Sequence, residues 1–341
     1  MTKRSKWLVA SVPIVVLSGI GWLYFDWQDS SESKTLQAPH DQGIATPEII
    51  TPLPLSLLLD VRKVKLGEQL FNDPRLSGDG SVSCAHCHNL KTGGVDRLRF
   101  SRGVDGKEGT INAPTVFNSG FNFRQFWDGR ADTLENQIDG PLQNPIEMNG
   151  TWPQAIATIL ADPAYSSMFS AIYRDGVQRN NIKDAVATFE RSLVTPNSRF
   201  DRFLRGDRGA LNENEKAGYE LFKQIGCTSC HQGINIGGNM YQRLGLMEDF
   251  FAKRGNITEA DLGRFNITKL ERDRYFFKVP TLRNVAITPP YLHDGSAKTL
   301  EEAVNVMARY QLGIDLTTND VNSVVAFLRT LTGEYSGKAL E

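Results

Sequence analysis

Apolar side chains recur at helical spacing in three separated parts of the chain. Leu66, Leu70 and Phe71 do so within Lys65-Leu66-Gly67-Glu68-Gln69-Leu70-Phe71. Tyr219, Leu221 and Phe222 do so within the similar Lys216-Ala217-Gly218-Tyr219-Glu220-Leu221-Phe222. The likeness of these segments predicts two related modules, each opening on an amphipathic helix. The second follows Asn212-Glu213-Asn214-Glu215, in which Asn212 and Glu215 can satisfy free backbone donors as a capping box. Near the end of the chain, Val321, Val324, Val325, Phe327, Leu328 and Leu331 mark a third helix, with Asn319-Asp320 expected to cap it and Gly333 to stop it. Sustained period-two alternation is scarce. The expected class is therefore all-α, with long loops.

One further apolar run has no helical stripe. Trp7 to Phe25 is a stretch of 19 uncharged residues behind the basic Lys3, Arg4 and Lys6. That length spans a bilayer as a helix, and the basic flank should stay cytoplasmic. No small-x-small cleavage site follows before the acidic segment from Asp26 to Glu32, so a retained anchor is expected rather than a cleaved signal peptide. The expected localisation is single-pass in the inner membrane, with the remainder in the periplasm. Residues 26–54 are polar and then punctuated by Pro47, Pro52 and Pro54, which reads as a tether. Gly, Asp and Arg cluster between Phe203 and the Asn212 cap. The expected divisions are a basic end and anchor at 1–25, a tether at 26–54, a first domain at 55–208 and a second at 209–341.

With 341 residues and 40 % apolar content, the chain can build cores of ordinary globular size. A formal net charge of −1 gives no electrostatic reason to expect a nucleic-acid partner. All four cysteines fall in Cys84-Ala85-His86-Cys87-His88 and Cys227-Thr228-Ser229-Cys230-His231. Four cysteines in an exported protein suggest disulfides, and a lone C-x-x-C suggests a redox pair or half a zinc site. A histidine directly after both pairs points instead to covalent haem attachment, with His88 and His231 as proximal iron ligands.

The sixth position at each iron decides between electron transfer and peroxide or oxygen chemistry. Five histidines are present. His40 lies in the tether, His86 lies inside an attachment loop, and His293 sits in a turn-like Leu292-His293-Asp294-Gly295 where a structural role competes with ligation. Met148, Met168, Met240, Met247 and Met307 are further candidates. Spacing alone does not choose among them.

From about Leu57 to Gly333 the chain resembles the bacterial di-haem cytochrome c peroxidases. The matching blocks include Phe126-Trp127-Asp128-Gly129-Arg130, Gly140-Pro141-Leu142, Glu147-Met148-Asn149, Val279-Pro280-Thr281-Leu282-Arg283-Asn284-Val285 and His293-Asp294-Gly295. The resemblance implies two cytochrome c-like domains, each with one haem c. Peroxide would be reduced at the N-terminal haem, with electrons passing through the C-terminal haem from a reduced cytochrome c, a cupredoxin or a quinol. It implies Glu147 as general acid/base, Gln137 as the group that orients peroxide, and Phe126, Pro141 and Val104 as distal-pocket residues. It further implies Met307, fourteen residues beyond His293, as the second ligand opposite His231. Trp127 would relay electrons between the haems, and the family precedent is a homodimer. A calcium ion would be held by the Asn112 side chain and the Thr288 and Pro290 carbonyls, oxygen ligands suited to a hard cation.

One position departs from the pattern. Many family members close the first haem at rest with a histidine sixteen residues after the proximal one, and here that position is Val104. Valine cannot bind iron, so the first site is expected to be open in the oxidised state. Two other readings remain at this point. One is a di-haem electron carrier. The other is a maturation enzyme that oxidises residues of a partner protein; relatives of that kind carry tyrosine where Met307 stands, and Tyr310 is three residues away.

Overall fold

The structure, a computed structural model, describes residues 49–341. The expected anchor at 7–25, the cytoplasmic end, most of the tether and His40 lie outside the described residues. Among the described residues, no helix is long and apolar enough to cross a membrane.

Four helices longer than the rest carry the two predicted modules. They are α1 (Val61–Asn72), α2 (Arg179–Ser192), α3 (Glu213–Gln224) and α4 (Thr318–Arg329). Asp60 caps α1 by accepting from the Arg62 backbone N–H. Leu66, Gly67, Leu70 and Phe71 form its buried face, which lies against α2. The repeated segments make the same contact twice. A Cβ on Gly67 would collide with the Ala185 carbonyl of α2, and one on Gly218 would collide with the Ser323 carbonyl of α4. In both modules, glycine lets the opening helix cross a later helix at backbone distance.

The Asn212–Glu215 capping box opens α3 as expected. The cap of α4 differs from expectation: Thr317 is the N-cap and accepts from the Asp320 N–H, while Asp320 reaches back to the Thr317 N–H. The sequence Thr317-Thr318-Asn319-Asp320 is thus itself a capping box, two residues earlier than the cap proposed from Asn319.

The described residues, 49–341, form one compact unit. Within it, one core gathers Leu66, Phe71, Phe117, Phe169 and Phe189, and another gathers Phe200, Tyr219, Phe222 and Phe327. The cores are not simply successive in sequence. Tyr335 and Leu340 pack on the first, while Ile50 belongs to the second. Ile50 and Leu53 are both buried, so the last residues of the expected tether are built into the fold. A buried ion pair of Arg283 with Asp201 at 2.6 Å secures this segment, since Arg283 also donates to the Thr51 carbonyl and Asp201 accepts from the Leu53 N–H.

The fold is mostly helical rather than strictly all-α. β1 (Tyr241–Arg243) pairs antiparallel with β2 (Phe276–Lys278), and a small ribbon joins Glu334–Tyr335 to Lys338–Ala339. A third cluster of Phe250, Phe251 and Phe277 packs with Trp127 and Tyr310.

Candidate active site

The first attachment motif forms a single helical turn, Cys84–Cys87, at the edge of a cavity of about 850 Å3. Cys84, Cys87 and His88 border it. The His88 Nδ1 lies 3.3 Å from the Gly94 carbonyl, which favours a proton on that nitrogen and leaves Nε2 available as a ligand. Burial lowers the His88 pKa, so the imidazole is neutral, as metal binding requires.

Gln137 and Glu147 border the same cavity. Gln137 ends the short helix Leu134–Gln137, capped by Thr133. Glu147 follows a turn in which Asn144 donates from Nδ2 to Glu147 Oε1 at 2.6 Å. Burial raises the Glu147 pKa, against the opposing pull of that hydrogen bond and of the Arg130 charge. Phe126 and Pro141 also border the cavity. Phe126 has φ +67°, a conformation costly for a bulky residue, and the Arg130 guanidinium stacks 3.4 Å from its ring centre. The Phe126 ring and the Asp128 carboxylate thus hold the Arg130 guanidinium, whose charge acts on the Glu147 carboxyl.

Val104 does not line this pocket. Its side chain is buried in the first core, as an apolar group prefers, while its neighbour Gly103 reaches the cavity. The Val104 N–H donates to the Glu147 carbonyl at 2.8 Å, and a Cβ on Gly103 would collide with that same carbonyl. The glycine-rich loop is therefore fastened to the backbone of the catalytic candidate. His86 is exposed and does not border the cavity.

The second motif lies beside a smaller cavity of about 250 Å3, bordered by Cys227, Cys230 and His231. The His231 Nδ1 is 3.3 Å from the Ile236 carbonyl, and burial lowers its pKa to about 4. Gly237 has φ +127° and passes so close to Pro280 that a Cβ there would strike its carbonyl. Met307 borders this cavity at the start of the π-helical turn Met307–Leu312. Tyr310, on the same turn, packs its ring 5.2 Å from Phe250 and is not among the bordering residues. Of the two, only the thioether is presented to the second site.

Trp127 and Asn112 border both cavities. Thr288 and Pro290, the other expected calcium ligands, border the second. His293 is buried, donates from Nε2 to Asp261 at 2.7 Å and meets Trp127 edge-on with ring centres 6.3 Å apart. Asp261, His293 and Asp294 are close enough to suit a metal ion, but the Arg254 guanidinium bonds to both carboxylates at 2.6 Å and fills that role. Burial works to raise the Asp261 carboxyl, yet the bonds from His293 and Arg254 hold it well below its usual range.

These features fit haem at both sites. The four cysteines are unpaired, burial pushes Cys84 and Cys227 up to about 12, and each cavity presents the two thiols and the following histidine of its own motif, with His293, bonded to Asp261, also bordering the second. Several polar groups escaped sequence reading. Glu190 borders the first cavity with an unpartnered Oε2, and burial raises its pKa to about 8. It continues the Ile182, Val186 face of α2, so an acid on an otherwise apolar stripe was the available signal. Asn144, Arg254 and Lys278 had no local signal.

Residues 61–209 match the family described as di-haem cytochrome c peroxidase. The chain is 52 % identical over 290 residues to the cytochrome c peroxidase Ccp of Escherichia coli, covering 85 % of this chain but 62 % of that longer protein. It is 45 % identical over 292 residues to the cytochrome c551 peroxidase of Nitrosomonas europaea, covering 85 % of this chain and 86 % of that one. A solved MauG-like protein associated with microbial copper homeostasis superposes with a TM-score of 0.74 at 29 % identity, covering 85 % of this chain and 95 % of that one. Paired CxxCH cavities and similarity over 85 % of the chain lead to one conclusion: the chain belongs to the di-haem cytochrome c peroxidase family.

Proposed function

We propose that this chain reduces hydrogen peroxide to two waters at the first site, taking up two protons and two electrons. The electrons pass through the second site from a reduced cytochrome c, a cupredoxin or a quinol. The observation that carries this reading is the inequality of the two cavities. Glu147 and Gln137 border the first, whereas among the described residues no carboxylate borders the second, where Met307 stands with His231.

Haem held by Cys84, Cys87 and His88, and by Cys227, Cys230, His231 and Met307, supplies iron that accepts and passes single electrons. The chain's own residues supply the rest. Glu147, with its pKa raised toward the working range, takes the proton from one peroxide oxygen and returns it to the other as the O–O bond breaks. Gln137 orients the peroxide and donates to the oxygen on which charge develops. Asn144 fixes the Glu147 carboxyl. Trp127, at the wall of both cavities, is the electron relay.

The same proposal includes an open first site at rest, because Val104 offers no ligand. It also includes calcium at Asn112, Thr288 and Pro290, a homodimer, and a periplasmic catalytic part held at the inner membrane by residues 7–25.

Peroxide turnover by the holoenzyme with a reduced small cytochrome c tests this reading. Glu147→Gln should lower kcat by about 10²–10⁴-fold. A pure electron carrier would show little turnover and no dependence on Glu147. A maturation enzyme with tyrosine at the second iron is disfavoured by the packing of Tyr310 against Phe250, outside the cavity lining.

A further inference from the structure

The second cavity carries a charge asymmetry that the electron-transfer reading does not use. Lys278, Arg243 and Arg283 border it, and among the described residues no Asp or Glu does. Arg283 is satisfied by Asp201 at 2.6 Å and by the Thr51 and Ile234 carbonyls. The other two differ. Lys278 is 6 % exposed, and burial alone lowers its pKa to about 8 with no neighbouring charge opposing it. The Nε of Arg243 is buried without a hydrogen-bond partner.

The ribbon explains how both reach one place. In the β1–β2 register, Tyr241 stands opposite Lys278 and Arg243 opposite Phe276. With side chains alternating along each strand, Arg243 and Lys278 lie on the same face as diagonal neighbours. A buried ammonium with no acid beside it among the described residues is unfavourable unless an anion joins it, and the Arg243 Nε offers such an anion a second donor from the same face. The β2 backbone also meets the electron relay, since the Lys278 N–H donates to the Trp127 carbonyl at 2.7 Å.

We propose that Lys278 and Arg243 form the anion seat of the second cavity and hold the propionate carboxylates of the haem attached at Cys227 and Cys230. The pair thereby anchors the porphyrin edge and favours the reduced state of that iron by its positive charge. This rests on haem at the second site and not on peroxide as the oxidant.

The test is a potentiometric titration of the holoenzyme, read optically at each haem, with resonance Raman of the propionate bending modes. Lys278→Met should lower the midpoint potential of the second haem, so that its reduced-to-oxidised ratio at a fixed applied potential falls about tenfold. The propionate mode should shift, and the first haem should be unchanged. Lys278→Arg should restore both readouts. Arg243→Gln, at a half-buried position, should shift the same mode if Lys278→Met does not accumulate. An unchanged propionate mode in either neutral variant overturns the proposal. None of these readouts requires peroxide turnover, so failure here is distinguishable from failure of the peroxidase reading.

Discussion

Trp127 donates its indole N–H to the backbone carbonyl of Asn112 at 2.9 Å, and both residues border both cavities. The bond fixes the indole in the wall of both cavities. The Asn112 backbone N–H in turn donates to the His293 carbonyl at 2.8 Å, so Trp127 is tied to the residue whose ring bonds to Asp261, the partner of Arg254.

Trp127→Phe should keep the aromatic packing but lose the bond to Asn112 and the wider indole surface. Electron transfer from the second haem to the first, followed by rapid mixing of the half-reduced enzyme with peroxide, should slow by about tenfold. Haem content and the spectrum of each haem should stay as in the parent. An unaltered rate would remove Trp127 from the path.

Glu190 gives a stability prediction with a definite sign. Burial raises its folded pKa from 4.5 to about 8, so the folded state retains a proton that the unfolded chain releases. Stability should be highest below the unfolded value and fall as pH rises through about 8. Glu190→Gln should flatten that slope and stabilise the protein at pH values above it. Urea unfolding of parent and variant across this range checks it, and parallel slopes would count against a buried neutral acid.

Gly67 and Gly218 predict matching costs in the two modules. Each glycine lies where a Cβ would enter a carbonyl of the crossing helix. Gly67→Ala and Gly218→Ala should each destabilise by about 1–3 kcal/mol, although alanine favours an isolated helix by up to about 1 kcal/mol. Chemical denaturation of the single variants provides the measurement. Neutral or stabilising alanines would mean that the helices can move apart freely.

Those glycines also mark the boundary of what was legible in the chain. The repeated Lys-x-Gly segments predicted two similar helices because apolar spacing is local information. The reason for the glycine was not local, since Ala185 and Ser323 lie more than a hundred residues from the glycines they meet. The haem motifs were readable because CxxCH places three reacting groups within one turn of chain. Glu147 and Gln137 became candidates through surrounding family blocks, and their place on the cavity that His88 also borders then supplied their physical context.

Val104 was legible as a lost ligand but misplaced as a pocket residue. A sequence position shows what a side chain is unable to do. The core that draws the valine away from the cavity is assembled from distant helices. Lys278 was silent for a related reason. Its proposed role comes from the absence of any acid beside it among the described residues, which depends on every element lining the second cavity. The α4 cap was misread by two residues, because Asn319-Asp320 and Thr317-Thr318 both offer capping side chains and only the backbone geometry chooses between them.

The central claim is that the two sites are unequal: an open first site facing Glu147 and Gln137, and a second closed by Met307. Electron paramagnetic resonance and absorption spectra of the fully oxidised holoenzyme, recorded before any reductant is added, test it most directly. The expected result is one high-spin or water-ligated haem, assigned to His88 by its loss of signal in His88→Gly. The other haem should be low-spin with a sulfur-to-iron charge-transfer band that disappears in Met307→Ala. Two low-spin haems at rest, or a second haem insensitive to Met307, would contradict the account.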